Sequence, residues 1–138
     1  MKTQIKDRPA YLTKDGSEIR ELLHPDHHSV TNQSLAEARI PAGVTTHLHR
    51  HHRSEEIYHI TSGTGVMRLE DKVFSVTTGD SVLISPGTAH SITNNGKKTL
   101  VVLCCCAPAY SHEDTELLSQ ASEFISPPLP QEGWGEGS

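Results

Sequence analysis

Short stretches rich in Val, Ile, Leu and Thr run through the middle of the chain, and Gly, Pro, Asn and Asp cut them apart. Runs of about four to eight such residues between turn formers are the pattern of an all-β sandwich or barrel. Strands are expected at about 18–23, 35–40, 45–51, 56–61, 65–70, 73–76, 81–84, 89–94 and 99–106. The separators "PAG" (41–43), "SGTG" (62–65), "EDK" (70–72), "TTGD" (77–80), "SPG" (85–87) and "NNGKK" (94–98) supply residues that favour tight turns. A helical pattern stands out once, in "SHEDTELLSQASEF" (111–124), where Ser111 can cap the N-terminus and Leu117, Leu118, Ala121 and Phe124 leave an apolar stripe. A short C-terminal helix is expected there, with Glu113, Asp114 and Glu116 complementing its N-terminal dipole. The segment "SPPLPQEGWGEGS" (126–138) has little to bury and is expected to be a flexible tail, so 1–125 is expected to fold as one domain.

Alternation along the strands places the chemistry. The stretch "HLHRHHRSEEIYH" (47–59) holds five of the ten histidines. On a strand His47, His49 and His51 share one face, while Leu48, Arg50 and His52 take the other. After a short turn, Glu56 opens the next strand, with Tyr58 and Ile60 on its face and Glu55 and His59 pointing away. Neutral imidazoles with one carboxylate suit a single divalent metal, and His90, just after "SPGTA", is the candidate third histidine. His47 faces inward one step further along, as a proton donor behind the ligands or a residue of the barrel mouth. Tyr58 is a candidate hydrogen-bond donor to a substrate. Asn94 is expected to be structural, as are the scattered His24, His27, His28 and His112. His52 and His59 are placed on the outer surface, and Arg50 and Arg68 point out of the interior.

Composition narrows the partners. Twelve Lys+Arg against 17 Asp+Glu give a formal charge of -5, which speaks against nucleic acid, because phosphate binding needs a basic surface. No apolar run approaches the roughly 20 residues that cross a bilayer, and "MKTQIKDRPAYL" lacks the apolar middle of a secretion signal. A cytoplasmic protein with no membrane partner is expected. Cys104, Cys105 and Cys106 are consecutive, so Cys104 and Cys106 share a strand face and Cys105 takes the other, which is no disulfide framework.

Two motifs give the chain a family likeness. Gly43, His49, His51, Glu56 and Gly63 match the first cupin motif in spacing. "GDSVLISPGTAHSITN" resembles the second through Gly79, Pro86, Gly87, His90 and Asn94, with Ser85 standing where the usual Pro-x-Gly turn has its first proline. The resemblance implies a double-stranded β-helix, the cupin jelly-roll barrel. It implies that His49, His51, Glu56 and His90 bind one Fe, Mn, Zn, Ni or Co ion, with a small-molecule substrate beside it, and that the chain forms a homodimer. An iron-dependent dioxygenase is the first function expected. A redox-neutral isomerase, lyase or decarboxylase and a metabolite-binding module are the alternatives.

Overall fold

In the computed structural model, which describes residues 1–119, two antiparallel sheets face each other across one core. The strands are β1 (Ala10–Leu12), β2 (Glu18–Leu23), β3 (Ser34–Ile40), β4 (His49–His51), β5 (Glu55–Ser62), β6 (Thr64–Leu69), β7 (Lys72–Thr77), β8 (Ser81–Ile84), β9 (His90–Thr93), β10 (Leu100–Ala107) and β11 (Thr115–Leu117). One sheet runs β1-β2-β3-β10-β5-β8 and the other β11-β4-β9-β6-β7. This is the expected all-β jelly roll. Alternation carries it: along β3 every second residue from Ser34 to Ile40 is buried, and Glu56, Tyr58 and Ile60 are buried along β5 while Glu55 and Ile57 are exposed. Ile40, Ile60, Met67, Ile84, Ile92 and Leu100 are fully enclosed between the sheets, each worth about 1.5–3 kcal/mol relative to an exposed side chain.

The turns follow the local chemistry. Gly87 adopts φ +82° after Pro86, and the Thr88 N–H donates to the Ser85 carbonyl at 3.1 Å, so Ser85-Pro86-Gly87-Thr88 closes with a left-handed third residue that glycine supplies without strain. The Gly87 N–H in turn donates to the His51 carbonyl at 2.7 Å, tying this turn to β4. Asn94 is structural, as expected: its Nδ2 donates to the carbonyls of Ile40 and Lys98, both at 2.8 Å, and its Oδ1 accepts from the Gly96 N–H at 2.9 Å.

The C-terminal element corrects the sequence reading. Across 111–119 there is no helix: a turn at Ser111–Asp114 leads into β11, which pairs with β4 through Thr115↔His51 and Leu117↔His49. The acidic residues are used differently from the expected helix cap. Asp114 accepts from the N–H groups of Arg53 and Ser54 at 3.0–3.1 Å, and the free edge of β4 offers a ladder that outweighs local helix preference. The rest of the expected helix, and the tail at 126–138, lie outside the described residues. Arg68 lies opposite the core-facing Met67 yet is 5% exposed, its Nε donating to the Glu70 carbonyl at 3.2 Å.

Register across the larger sheet makes room for a site. One inward row runs Glu21–Ala36–Cys104–Tyr58–Val82, and the next runs Ser34–Cys106–Glu56–Ile84. The small side chains at 34, 36, 104 and 106 leave space above the sheet that larger residues would fill.

Candidate metal centre

His49 and His51 project from β4, and His90 from β9 directly opposite His49. Their metal-binding atoms lie within 4.8 Å of one another, and all three rings are buried. Ring centroids are 4.1 Å apart for His49 and His90, 5.1 Å for His49 and His51, and 5.4 Å for His51 and His90. From the adjacent β5, Glu56 brings Oε1 to 3.1 Å from His51 Nε2 and 3.6 Å from His90 Nε2. Neither approach has the alignment of a hydrogen bond, because Glu56 Oε1 and His90 Nε2 are both buried without a hydrogen-bond partner. Tyr58 is next on the same face, its ring 5.9 Å from that of His90.

The proton positions follow from what each outer nitrogen meets. His49 Nδ1 lies 2.9 Å from the His47 carbonyl and His90 Nδ1 2.9 Å from the Thr88 carbonyl. Carbonyls only accept, so both Nδ1 atoms carry hydrogen. His51 Nδ1 is 2.9 Å from Thr115 Oγ1, and that hydroxyl already donates to the Ser111 carbonyl at 2.9 Å. His51 Nδ1 must therefore donate as well. In its neutral form each ring then turns an Nε2 lone pair toward one point, the tautomer that a metal requires.

The row of three expected on one strand is broken. Thr45 bridges Thr93 while His49 pairs with His90, four steps on one segment against three on its partner. The extra residue is a bulge, which reverses alternation locally. Thr46 therefore lines the cavity and His47 does not. The half-buried His47 instead covers the 13–17 turn: its N–H donates to the Asp15 carbonyl at 2.7 Å, and a Cβ added at Gly16 would lie 3.3 Å from its ring.

That turn brings a carboxylate the strand pattern did not reveal. Asp15 Oδ1 accepts from the hydroxyls of Thr13 and Ser17, both at 2.6 Å, and from the Ser17 N–H at 3.0 Å. Its Oδ2 is left 3.6 Å from His49 Nε2. The sequence signal is "TKDGS" itself, since Asp followed by Gly and Ser favours a turn in which the carboxylate folds back on the backbone. Glu21, Tyr110, Thr115 and both inward cysteines also line the cavity, whose volume is about 50 Å³, room for a few water-sized groups.

Burial sets the electrostatics. His49 loses basicity to burial first and to the neighbouring His90 next, and falls to about 4. Burial alone would raise both carboxyls; hydrogen bonding from and attraction to His51 and His90, when those rings carry a proton on Nε2, outweigh it for Glu56, and attraction to a protonated His49 with the hydroxyls of Ser17 and Thr13 does so for Asp15. Both are held below the usual carboxylate range. Burial, then Glu56, pushes the Tyr58 hydroxyl and the Cys104 and Cys106 thiols up, so they stay protonated.

The remaining histidines go elsewhere. His52 Nε2 is 3.0 Å from Glu116, and His59 Nδ1 is 2.8 Å from Ser81 Oγ, both on the outside. His24 is bonded to the Tyr110 carbonyl and the Asp26 N–H. A divalent ion fits the cluster: three lone pairs converge, two buried atoms lack partners, and a carboxylate stands beside the imidazoles.

Comparison with known proteins agrees with this fold. The chain is 52% identical over 118 residues to the uncharacterized protein MJ1618 of Methanocaldococcus jannaschii, covering 86% of this chain and 94% of that one. It is 31% identical over 86 residues to an oxalate-binding protein of Thermotoga maritima, 62% of this chain and 71% of that one. Among solved structures, a predicted oxalate decarboxylase from Thermotoga maritima superposes with a TM-score of 0.69 at 25% identity, covering 78% of this chain and 99% of that one. The family model for the cupin domain matches residues 36–106, from the middle of β3 almost to the end of β10, and the chain belongs to that family.

Proposed function

We propose that the protein is a redox-neutral metalloenzyme acting on a small molecule, with one divalent ion held by His49, His51, Glu56 and His90. The observation that carries this reading is Asp15. Its Oδ1 is saturated by three donors while Oδ2 stands bare, 3.6 Å from His49 Nε2. A carboxylate fixed in this way, held ionised and placed beside the cluster, has the position of a general base. When bound, the ion supplies Lewis-acid polarisation of a carbonyl. Asp15 Oδ2 would take the proton released next to that carbonyl, and Tyr58, kept protonated and lining the same cavity, can donate one. His47, expected near the mouth, has no place in this scheme because it does not line the cavity.

A second reading, oxygen activation by iron, is favoured by the apolar walls of Ile40, Ile92 and Val102. One set of measurements separates the two. The purified protein is expected to carry one ion per chain by elemental analysis, with His49→Ala and His90→Ala each losing it and Asp15→Asn keeping it. In D2O, the wild type is expected to exchange carbon-bound hydrogen of small hydroxy- or aminoketones, seen by NMR, and Asp15→Asn is not. Full metal content in both histidine variants would overturn the shared centre. Oxygen consumed in step with substrate would replace the redox-neutral reading with the oxidative one.

A further inference from the structure

Two compartments meet at a wall formed by Glu21 and Tyr110. The inner one holds the imidazoles, and the outer is an open cleft of about 500 Å³ bordered by Tyr11, Asp26, His27 and Glu113 as well as by Glu21 and Tyr110. Glu21 is 7% exposed. Its Oε2 accepts from the Tyr11 hydroxyl at 2.5 Å, whereas Oε1 is buried with no partner. The Tyr110 hydroxyl, in the same wall, is buried and unpartnered too. Such atoms carry a desolvation cost that native structures seldom leave uncompensated.

The cations nearby are committed elsewhere. Arg8 Nε donates to the Glu21 backbone carbonyl at 3.0 Å, not to the carboxylate. Lys14 Nζ donates to the carbonyls of His112 and Thr115 at 3.2 and 2.8 Å. Among the described residues no lysine or arginine lines either compartment, while Asp15, Glu21 and Glu56 line the inner one and Asp26 and Glu113 the outer. A divalent ion would bring two positive charges against three carboxylates, so the inner chamber stays negative. Glu21 also shares an inward row with Tyr58, across Ala36 and Cys104. Three strand spacings of about 4.8 Å separate the two, over a floor of small side chains.

Building on the metal-centre reading above, we propose that Glu21 and Tyr110 form a subsite for a hydrogen-bond donor, so that the ligand is a small molecule ending in an ammonium or hydroxyl group rather than a carboxylate or phosphate. A dianion entering past Asp26, Glu113 and Glu21 meets three carboxylates with no lysine or arginine among the described residues to offset them, only the imidazoles of His24, His27 and His112. An ammonium or hydroxyl at the wall instead satisfies Glu21 Oε1 and gives the Tyr110 hydroxyl, which among the described residues has only the Thr115 side chain near it for hydrogen bonding, a well-aligned partner.

The test compares two four-carbon probes of opposite charge, 1,4-diaminobutane and succinate, by calorimetric titration of protein loaded with Mn2+ and checked by elemental analysis. At neutral pH the diamine is protonated at both ends. It is expected to bind at least about tenfold more tightly than succinate, as one or more partly screened charge pairs would give. Glu21→Gln is expected to erase that preference with manganese content unchanged, and Tyr110→Phe to weaken the diamine alone. A diamine that does not bind, or binds no better than succinate, overturns the subsite, as does a Glu21→Gln protein with an unchanged ratio. Failure to retain manganese would instead overturn the metal-centre reading, and the same two titrations on metal-free protein then decide the subsite by itself.

Discussion

Removing metal should leave a protein whose stability falls with acid, and His49 sets the size of the effect. Its imidazole is 3% exposed and does not take a proton until about pH 4, against 6.5 for the ordinary side chain. Between those values the unfolded chain holds one more proton than the folded one, so acid favours unfolding. At about 1.4 kcal/mol per pH unit for one proton, the full interval amounts to roughly 3 kcal/mol. That loss begins as pH falls below about 6.5 and is complete near 4. Asp15 and Glu56, whose carboxyls are also held down, act in the same direction but at lower pH, as acid reaches their unfolded values of 3.8 and 4.5. Urea unfolding of EDTA-treated protein between about pH 4.5 and 7 isolates the His49 contribution when compared with His49→Gln, which keeps a polar side chain but cannot titrate. The wild-type curve is expected to be steeper by up to one proton. Parallel curves for the two proteins would refute the argument, because they would mean that His49 titrates alike in the folded and unfolded chains.

Three further outcomes are expected. Thr115→Val removes the acceptor that orients His51 and should weaken manganese binding about 10- to 100-fold with the fold intact, measured by competition with a chelator; unchanged affinity would mean that the ring needs no such anchor. Gly65→Ala would place a Cβ 2.7 Å from the Thr93 carbonyl and 2.9 Å from Leu100 Cδ2, so thermal unfolding should show a loss of about 1–3 kcal/mol; a melting temperature equal to wild type would show that β6 and β9 can spread. On the outer face of the larger sheet, Leu35, Cys105, Ile57 and Leu83 form one apolar row, with Ile57 and Leu83 44% and 57% exposed, and we propose that a second copy of the chain packs against it. Leu83→Asp should turn a dimer into a monomer by light scattering, and a dimer that persists would move the contact elsewhere.

Most of the strand order could be read from the sequence because alternation and turn residues are local signals. β2 and β8 fall where the pattern puts them, β3 differs by one residue at one end, β5, β6, β7, β9 and β10 differ by one residue at each end, and β4 keeps only the last three residues of the expected 45–51. The misses have a shared cause. β1 and β11 are three-residue strands, too short to show a period, and each exists because a neighbouring edge offers backbone partners. For 111–119, the acidic residues after Ser111 suited a helix start, yet the same residues serve a turn whose Asp114 caps the 53–54 backbone. The bulge between Thr45 and His49 is likewise a matter of pairing with β9, so nothing in "TTHLH" itself announces that His47 leaves the row.

The histidine-rich stretch therefore owes its chemistry to pairing more than to density. Of its five imidazoles, those of His49 and His51 reach the cluster, and they do so because β9 and β11 fix one ring's partner and the other's tautomer. The carboxylates that give the chamber its sign come from opposite ends of this organisation. Glu56 belongs to the motif and sits beside the imidazoles, whereas Asp15 and Glu21 arrive from the turn before β2 and from β2 itself, outside the 36–106 span that matches the family. The shared segment thus supplies a place for a metal, and the N-terminal strands supply the wall a ligand must satisfy. If substrate choice resides in that wall, exchanging residues 13–21 should change which probe binds while leaving metal content alone. Changes at His49, His51 or His90 should do the reverse.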